Sequence, residues 1–490
     1  MSLMSTSSRG RRGVGDAMTA ALARSGSPRL GATRSLAQTA PQPEVPAIAA
    51  GKVKRWPPLP VLAFLVAMVI PWQIYIGSVH LSCTRLVLLV MLGPAMWKWV
   101  TGKAGGIRIP DIAVLLFIAW CGFATVQIHG VDYAFQSVGM LFIETAGSYF
   151  LARAYIRTEQ DFYAMCRALF WVVACLLPFA VVEAVTKSSV LLNFFEKFMP
   201  SYSPIDAELR WDMRRAQVVF QHPILYGVFC GIAFAPTFLV LGYRKSLAKR
   251  WSKTAIIVAA TFFSLSSGPM TALALQVGLV GWNWVLRGFA GRWKLLWAIL
   301  GSMYLVVSLF SRQSPAQHLI NLVAFDKGSA WQRLLIWEYG SASIAAHPLF
   351  GVGFGDWPRM DGQTSSVDMF WIISALRHGL LAGIFLGIAY LGATIMIGFK
   401  RGLSDSQIQC RTAYLICMVG FFVAGWTVDF WGEVYTAFFF MLGSGLWLLA
   451  VPDKAAIPLR ASRVTSTEPS PRAPRQLIVN PRRGASAPRR

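Results

Sequence analysis

Four arginines, one histidine and one aspartate stand out because of where they fall between apolar runs. Arg210, Arg214 and Arg215 lie at the end of a polar stretch, 187–217, and Arg333 lies in a second one, 312–369. A guanidinium is permanently charged and presents a planar fork that matches phosphate oxygens. Several of them near a low-dielectric membrane surface could hold a diphosphate and stabilise it as a leaving group. The bland alternative is neutralisation: Asp206, Glu208 and Asp212 sit among the first three arginines, and Glu338 follows Arg333. Exposed pairs contribute little, which favours the ligand reading for Arg333, Arg214 and Arg215 and leaves Arg210 behind them. His222, directly before Pro223, either orients or deprotonates a hydroxyl or simply opens a helix with its ring bonded to backbone. Asp368 is the one ionisable residue in 364–371. It could accept a proton from a hydroxyl, or pair with Arg333 or Arg359.

Around Arg333 the chain reads GSAWQRLLIWEYGSASIAAHPLFGVGFGDW, from Gly328 to Trp357. Trp331, Leu334, Leu335, Trp337 and Ile344 recur at roughly helical spacing, which predicts an amphipathic helix with Arg333 and Glu338 as its charges. His347-Pro348 ends it, so His347 reads as a helix-ending residue rather than a catalyst. Gly351, Gly353 and Gly355 permit a tight turn and close approach to a ligand. Helix, arginine and glycine turn together read as a lid over a site. His378, farther on in an apolar run, reads as packing or snorkelling.

Arg333-x-x-x-Trp337 followed by His347-Pro348-Leu349-Phe350-Gly351-Val352-Gly353-Phe354-Gly355 resembles the signature of the O-antigen ligase and Wzy-type polysaccharide polymerase superfamily. Its members are bacterial membrane enzymes that move glycans off a polyprenyl-diphosphate carrier. The run from Arg214 to Pro223, RRAQVVFQHP, resembles the family's arginine followed by Phe-x-His/Asn-Pro. The resemblance is specific over about 210–230 and 328–380. Two departures stand out. Ser267-Gly268-Pro269 occupies a place where members often have Ser-Arg-Gly, and 364–371 lacks the histidine of O-antigen ligases. The first reads as a tight external turn between two spans.

The resemblance implies a GT-C-like glycosyltransferase of the bacterial inner membrane that needs no metal or cofactor. Arg210, Arg214 and Arg215 would hold the diphosphate of a polyprenyl-linked oligosaccharide. Arg333, Asp368 and His222 would form the catalytic group, with His347, Gly351, Gly353 and Gly355 in a substrate loop. An acceptor glycan would supply the attacking hydroxyl, and a chain-length regulator or export proteins would be partners. Polymerisation of an exopolysaccharide or O-antigen is the first expectation, and ligation to lipid A core the second. A secondary transporter or lipid-linked oligosaccharide flippase is the competitor from another class, although no internal repeat marks one.

Composition fixes the setting these residues need. Of 490 residues 55% are hydrophobic and 14% charged, which is no ordinary soluble chain. Apolar runs recur from about Leu59 to Val451, long enough to cross a ~30 Å core, and in lipid such runs must be helical. The expectation is an all-α polytopic membrane protein of about twelve spans. They fall at 57–79, 82–101, 110–129, 134–155, 162–186, 218–242, 252–266, 269–287, 292–311, 370–398, 410–429 and 434–451. The large loop 312–369 separates the first nine spans, within 56–311, from the last three, within 370–451.

A net charge of +24 raises nucleic acid as a partner, but its distribution points to membrane lipid. The tails 1–55 and 452–490 are basic and poor in large apolar residues, so they read as disordered. Short clusters such as Arg244, Lys245, Lys249, Arg250 and Lys253, or Lys400, Arg401 and Arg411, fall on the same side of the membrane as the tails. That pattern places both tails in the cytoplasm and both long polar loops outside it. The seven cysteines fall in or beside apolar runs with no Cys-x-x-Cys, so they read as buried small hydrophobes.

Overall fold

The computed structural model describes residues 56–76, 79–206, 208–310, 327–363 and 365–452. Both tails expected to be disordered, the first part of the long loop (312–326) and Thr364 lie outside the described residues.

The chain is a predominantly helical membrane protein. Among the described residues eight segments are long and apolar enough to cross a bilayer: Cys83–Val100, Ile109–Tyr155, Glu159–Thr186, Pro223–Leu241, Arg292–Phe310, Leu380–Phe399, Asp405–Gly425 and Gly432–Ala450. The second is a helical hairpin. Gly130 breaks it with φ 81° and ψ 172°, and a Cβ on Gly122 would touch the Val138 side chain at 3.1 Å. At its open end Arg153 and Asp111, both fully buried, form an ion pair of 3.0 Å. Tyr149 and Trp99 also donate to the Asp111 carboxylate, and the Arg153 guanidinium donates to the carbonyls of Ala104 and Gly106.

Three expected spans take other forms. The run 57–79 is only a nine-residue helix, α1 (Leu59–Ala67), followed by strands β1 (Gln73–Ile76) and β2 (Val79–Ser82). Pro71 cannot continue a helix, and the alternating residues after it pair antiparallel, Gln73 with Ser82 and Ile76 with Val79. The run 218–242 becomes helical only at Pro223, because Val218 takes a left-handed φ of 57° and His222 is the N-cap. The run 370–398 is two helices broken at Gly379, whose φ 83° and ψ 170° nearly repeat Gly130. A Cβ at Gly379 would lie 1.9 Å from the Leu349 carbonyl oxygen, so only glycine fits. The serine-rich break is a tight turn, 264–266, between helices Leu247–Phe263 and Ser267–Val285.

Five cysteines are buried, but Cys83 is half-buried and Cys175 is exposed, on one stripe of its helix with the exposed Trp171, Phe179 and Val182. Helix Arg292–Phe310 buries none of its residues. An aromatic cluster closes one end of the bundle: Phe370 stacks on Phe430 at 4.5 Å and meets Phe438 edge-on at 5.0 Å. This cluster fixes the linker 426–431 and the residues just before Phe370 at that end of the bundle.

Candidate functional site

That end also gathers both polar loops. Trp72 bridges to Ser201, Arg210 reaches the carbonyl of Leu265, and Tyr202 reaches Glu433. Helix Lys327–Ala346 packs on Phe370–His378, and its Arg333 donates to the carbonyl of Thr427 at 3.3 Å. The expected helix is present, but the face it buries carries Arg333, Ile336, Gly340 and Ser343, and Trp331, expected on its apolar stripe, is exposed.

The three clustered arginines divide. Arg210 donates to the Leu265 carbonyl at 2.7 Å and Arg215 to the Ser266 hydroxyl at 2.9 Å, so both clasp the turn 264–266. Leu265 holds a left-handed φ of 46° there. Burial, and then the neighbouring Arg210, push the Arg215 guanidinium down to about 10 against the pull of Glu208, which leaves it cationic at neutral pH. Its buried Nε has no hydrogen-bond partner among the described residues. Arg214 faces elsewhere. It donates to the carbonyls of Ile205 and Lys187 and lies 3.8 Å from Glu183, whose carboxylate accepts from the backbone of Gln217 and Val218. Arg214 shapes the loop that presents Arg215, and Asp212 pairs with Lys187.

His222 caps its helix, with Nδ1 accepting from the Ile224 amide at 3.1 Å. Burial, then Arg215, push the ring down to about 4 against the opposing effect of Asp368. The ring is therefore neutral at pH 7, with its proton on Nε2. It can donate a hydrogen bond to a ligand oxygen, but its free nitrogen cannot accept a proton. Asp368 is exposed and accepts from Ser366 at 2.6 Å, while Arg359 is bound to Asp356.

The glycine turn is docked rather than open. Gly351 and Gly353 have φ of 75° and 70°, and the amides of Val352 and Gly353 donate to the carbonyls of Leu376 and Arg377. The Phe354 amide donates to His129 Nε2 at 2.9 Å. A Cβ on Gly353 would lie 2.3 Å from that ring, and one on Gly351 2.4 Å from the Leu376 carbonyl oxygen. These glycines serve close backbone packing, and three successive amides of the turn already have protein acceptors. A Cβ on Gly355 would meet the Val352 carbonyl oxygen at an ordinary 3.7 Å, and His347 is exposed, its amide donating to the Ser343 carbonyl and its carbonyl accepting from the Gly351 amide.

Two residues that the sequence reading gave no part in the site complete the cluster. Asp429 is half-buried in the linker 426–431, and burial pushes its carboxyl up to about 7. Arg377 opposes that shift, as does the backbone amide of Phe430, and Asp368 adds to it. Arg377 also lies 5.3 Å over the Phe354 ring. Asp368 is thus within electrostatic range of both His222 and Asp429, and joins the arginine side of the site to the Arg377 side. The signal in the sequence was a lone carboxylate inside the apolar linker Thr427-Val428-Asp429-Phe430-Trp431. A linker so short and apolar reads as a plain reversal between spans. Among the described residues no three His, Cys, Asp or Glu side chains gather as a metal-binding group.

Fold and site define a multi-pass helical membrane protein with arginines and paired carboxylates at one end of its bundle. No protein-family model matches the chain, and no curated protein matches it.

Proposed function

We propose that the chain is a GT-C-like glycan polymerase of the bacterial inner membrane, with both tails in the cytoplasm. It transfers an oligosaccharide from a polyprenyl-diphosphate carrier to a growing exopolysaccharide or O-antigen. The observation that carries this reading is the convergence of Arg210 and Arg215 on one strained turn, next to a neutral His222 and the Asp368–Asp429 pair. Cationic forks suit a diphosphate leaving group, and a carboxyl near neutrality suits proton acceptance. The resemblance of 210–230 and 328–380 to the ligase and polymerase superfamily points the same way.

In the reaction, a hydroxyl oxygen of the acceptor glycan attacks the anomeric carbon of the carrier-linked sugar. Its proton passes to Asp429, whose carboxyl is pushed up chiefly by burial, with Arg377 opposing the shift and Asp368 adding to it. The bond from the anomeric carbon to the diphosphate oxygen breaks, and the electron pair leaves with polyprenyl diphosphate, held by Arg210 and Arg215. His222 Nε2–H donates to a ligand oxygen and fixes its position. Exposed Asp368 then relays the proton to water. Arg333, buried against the Thr427 carbonyl, anchors the linker that carries Asp429.

A second reading, transport of a lipid-linked oligosaccharide, draws on the helix break at Gly379, since interrupted helices are common in transporters. One assay separates the two. Purified protein in lipid nanodiscs is given a lipid-linked oligosaccharide, and release of polyprenyl diphosphate is followed. Release that falls in Arg215→Lys supports transfer. Intact substrate with wild-type protein refutes it and leaves transport.

A further inference from the structure

Beside the arginine and carboxylate cluster lies a second set of polar side chains with no part in the reaction above. Tyr202 donates to Glu433 Oε1 at 2.7 Å, and the side chains of Gln73 and Gln221 lie within electrostatic range of the same tyrosine hydroxyl. These groups come from four places: strand β1, the loop after Met199, the run before Pro223, and the head of the last long helix. Gln73 and Glu433 are almost wholly buried, at 4% and 3% exposure. Yet Gln73 Oε1 and Glu433 Oε2 have no hydrogen-bond partner among the described residues. Two orphaned acceptors in one buried group are costly unless something donates to them. Gln221, His222 and Trp431 nearby are half-exposed, with the His222 and Trp431 rings 6.1 Å apart.

Gln73 Oε1 can only accept, so the missing partner must bring at least one hydrogen-bond donor. A bare anion brings none. A cation would face the Arg85 guanidinium, which sits in electrostatic range of Glu433 and is paired with Glu144 at 2.8 Å. A neutral polyol fits both limits, and a pyranose adds an apolar face suited to the Trp431 ring. We propose that Gln73, Tyr202, Gln221 and Glu433, with Trp431 nearby, form a saccharide subsite. One neutral sugar unit of the acceptor glycan donates its hydroxyls to Gln73 Oε1 and Glu433 Oε2. The proposal deepens the glycan-transfer reading and rests on it for the word acceptor, whereas saccharide binding itself stands apart from transfer.

The test is ligand-observed saturation-transfer NMR on the full-length protein in nanodiscs, with a panel of methyl hexopyranosides as probes. The expected result is saturable transfer to the ring protons of at least one glycoside. Tyr202→Phe and Gln73→Leu should each weaken it by about fivefold, the size of one lost neutral hydrogen bond. Arg215→Lys should leave it unchanged, and so should added polyprenyl diphosphate. Variants are compared only at equal monodispersity on gel filtration, and Tyr202→Phe is the conservative member in case Gln73→Leu misfolds. If no glycoside receives transfer from wild-type protein, or if Tyr202→Phe binds as wild type does, the orphaned acceptors hold water alone and the proposal is overturned. If glycoside binding follows the pattern while no polyprenyl diphosphate is ever released, the subsite stands and the polymerase reading falls.

Discussion

Asp368→Asn and Arg377→Gln should move the pH dependence of glycan transfer in opposite directions. The Asp429 carboxyl is pushed up to about 7, chiefly by burial, with Asp368 raising it and Arg377 holding it down. A base works in its ionised form, so the rate should climb with pH through that value. One pH unit below it only about a tenth of the base is ionised, and the rate should be about tenfold under its plateau. Asp368→Asn removes a negative neighbour, so Asp429 ionises more readily and the rising limb moves to lower pH. Arg377→Gln removes a positive neighbour and moves the limb to higher pH. Asp429→Asn should lower the plateau itself by on the order of 10²–10⁴. The assay is the initial rate of polyprenyl diphosphate release in nanodiscs across the range between acid and alkaline inactivation. A limb that stays fixed in both neighbouring variants would refute the assignment. So would an Asp429→Asn protein with the wild-type rate, and proton acceptance would then fall to Asp368 alone.

Stability should run against activity at Asp429. A carboxyl held above its unfolded value favours the folded state while protonated, and that contribution is lost as pH rises to about 7. Asp429→Asn should therefore raise thermal stability above neutrality and change it little in acid, as read by a melting series over pH. Gly353→Ala should destabilise by roughly 1–3 kcal/mol, because its φ is 70° and the added methyl meets His129; a wild-type melting temperature would contradict the docking of the turn. Arg153→Met alone should cost about 3–5 kcal/mol by stranding Asp111, and the double change Asp111→Leu with Arg153→Met should recover much of it. Membrane abundance and melting temperature check both. In a background without native cysteines, a reagent added from outside should label Ser365→Cys but not Ser470→Cys; labelling of both from one side would overturn the orientation.

Much of the helical plan was legible because lipid leaves the backbone few options. Long apolar runs such as Glu159–Thr186 and Asp405–Gly425 had to be helices, and their ends fell near the expected places. The run 57–79 was misjudged because mean apolarity hides the stop at Pro71 and the period-two pattern after it. The break at Gly379 escaped notice for another reason: it depends on the backbone of Leu349, distant in sequence. Residue types marked Arg215, His222 and Asp368, and the structure places Arg215 and Asp368 each within electrostatic range of His222. Sequence could not separate Arg215 from Arg214, since only folding turns one toward Ser266 and the other toward Glu183. Asp429 and Glu433 lay among apolar neighbours, where a single carboxylate carries no spacing pattern to read.

The buried knot at the open end of the first helical hairpin sets an order of assembly. The Gly106 carbonyl finds the Arg153 guanidinium only after 47 more residues have been added to the chain. Until then Asp111 has no cation and the segment 104–106 has unfilled acceptors beside the membrane. The first half of the hairpin therefore enters the bilayer as an unfinished element, and its second half brings the countercharge. The smallest piece of this region that can come to rest in lipid is the pair of helices, not either one.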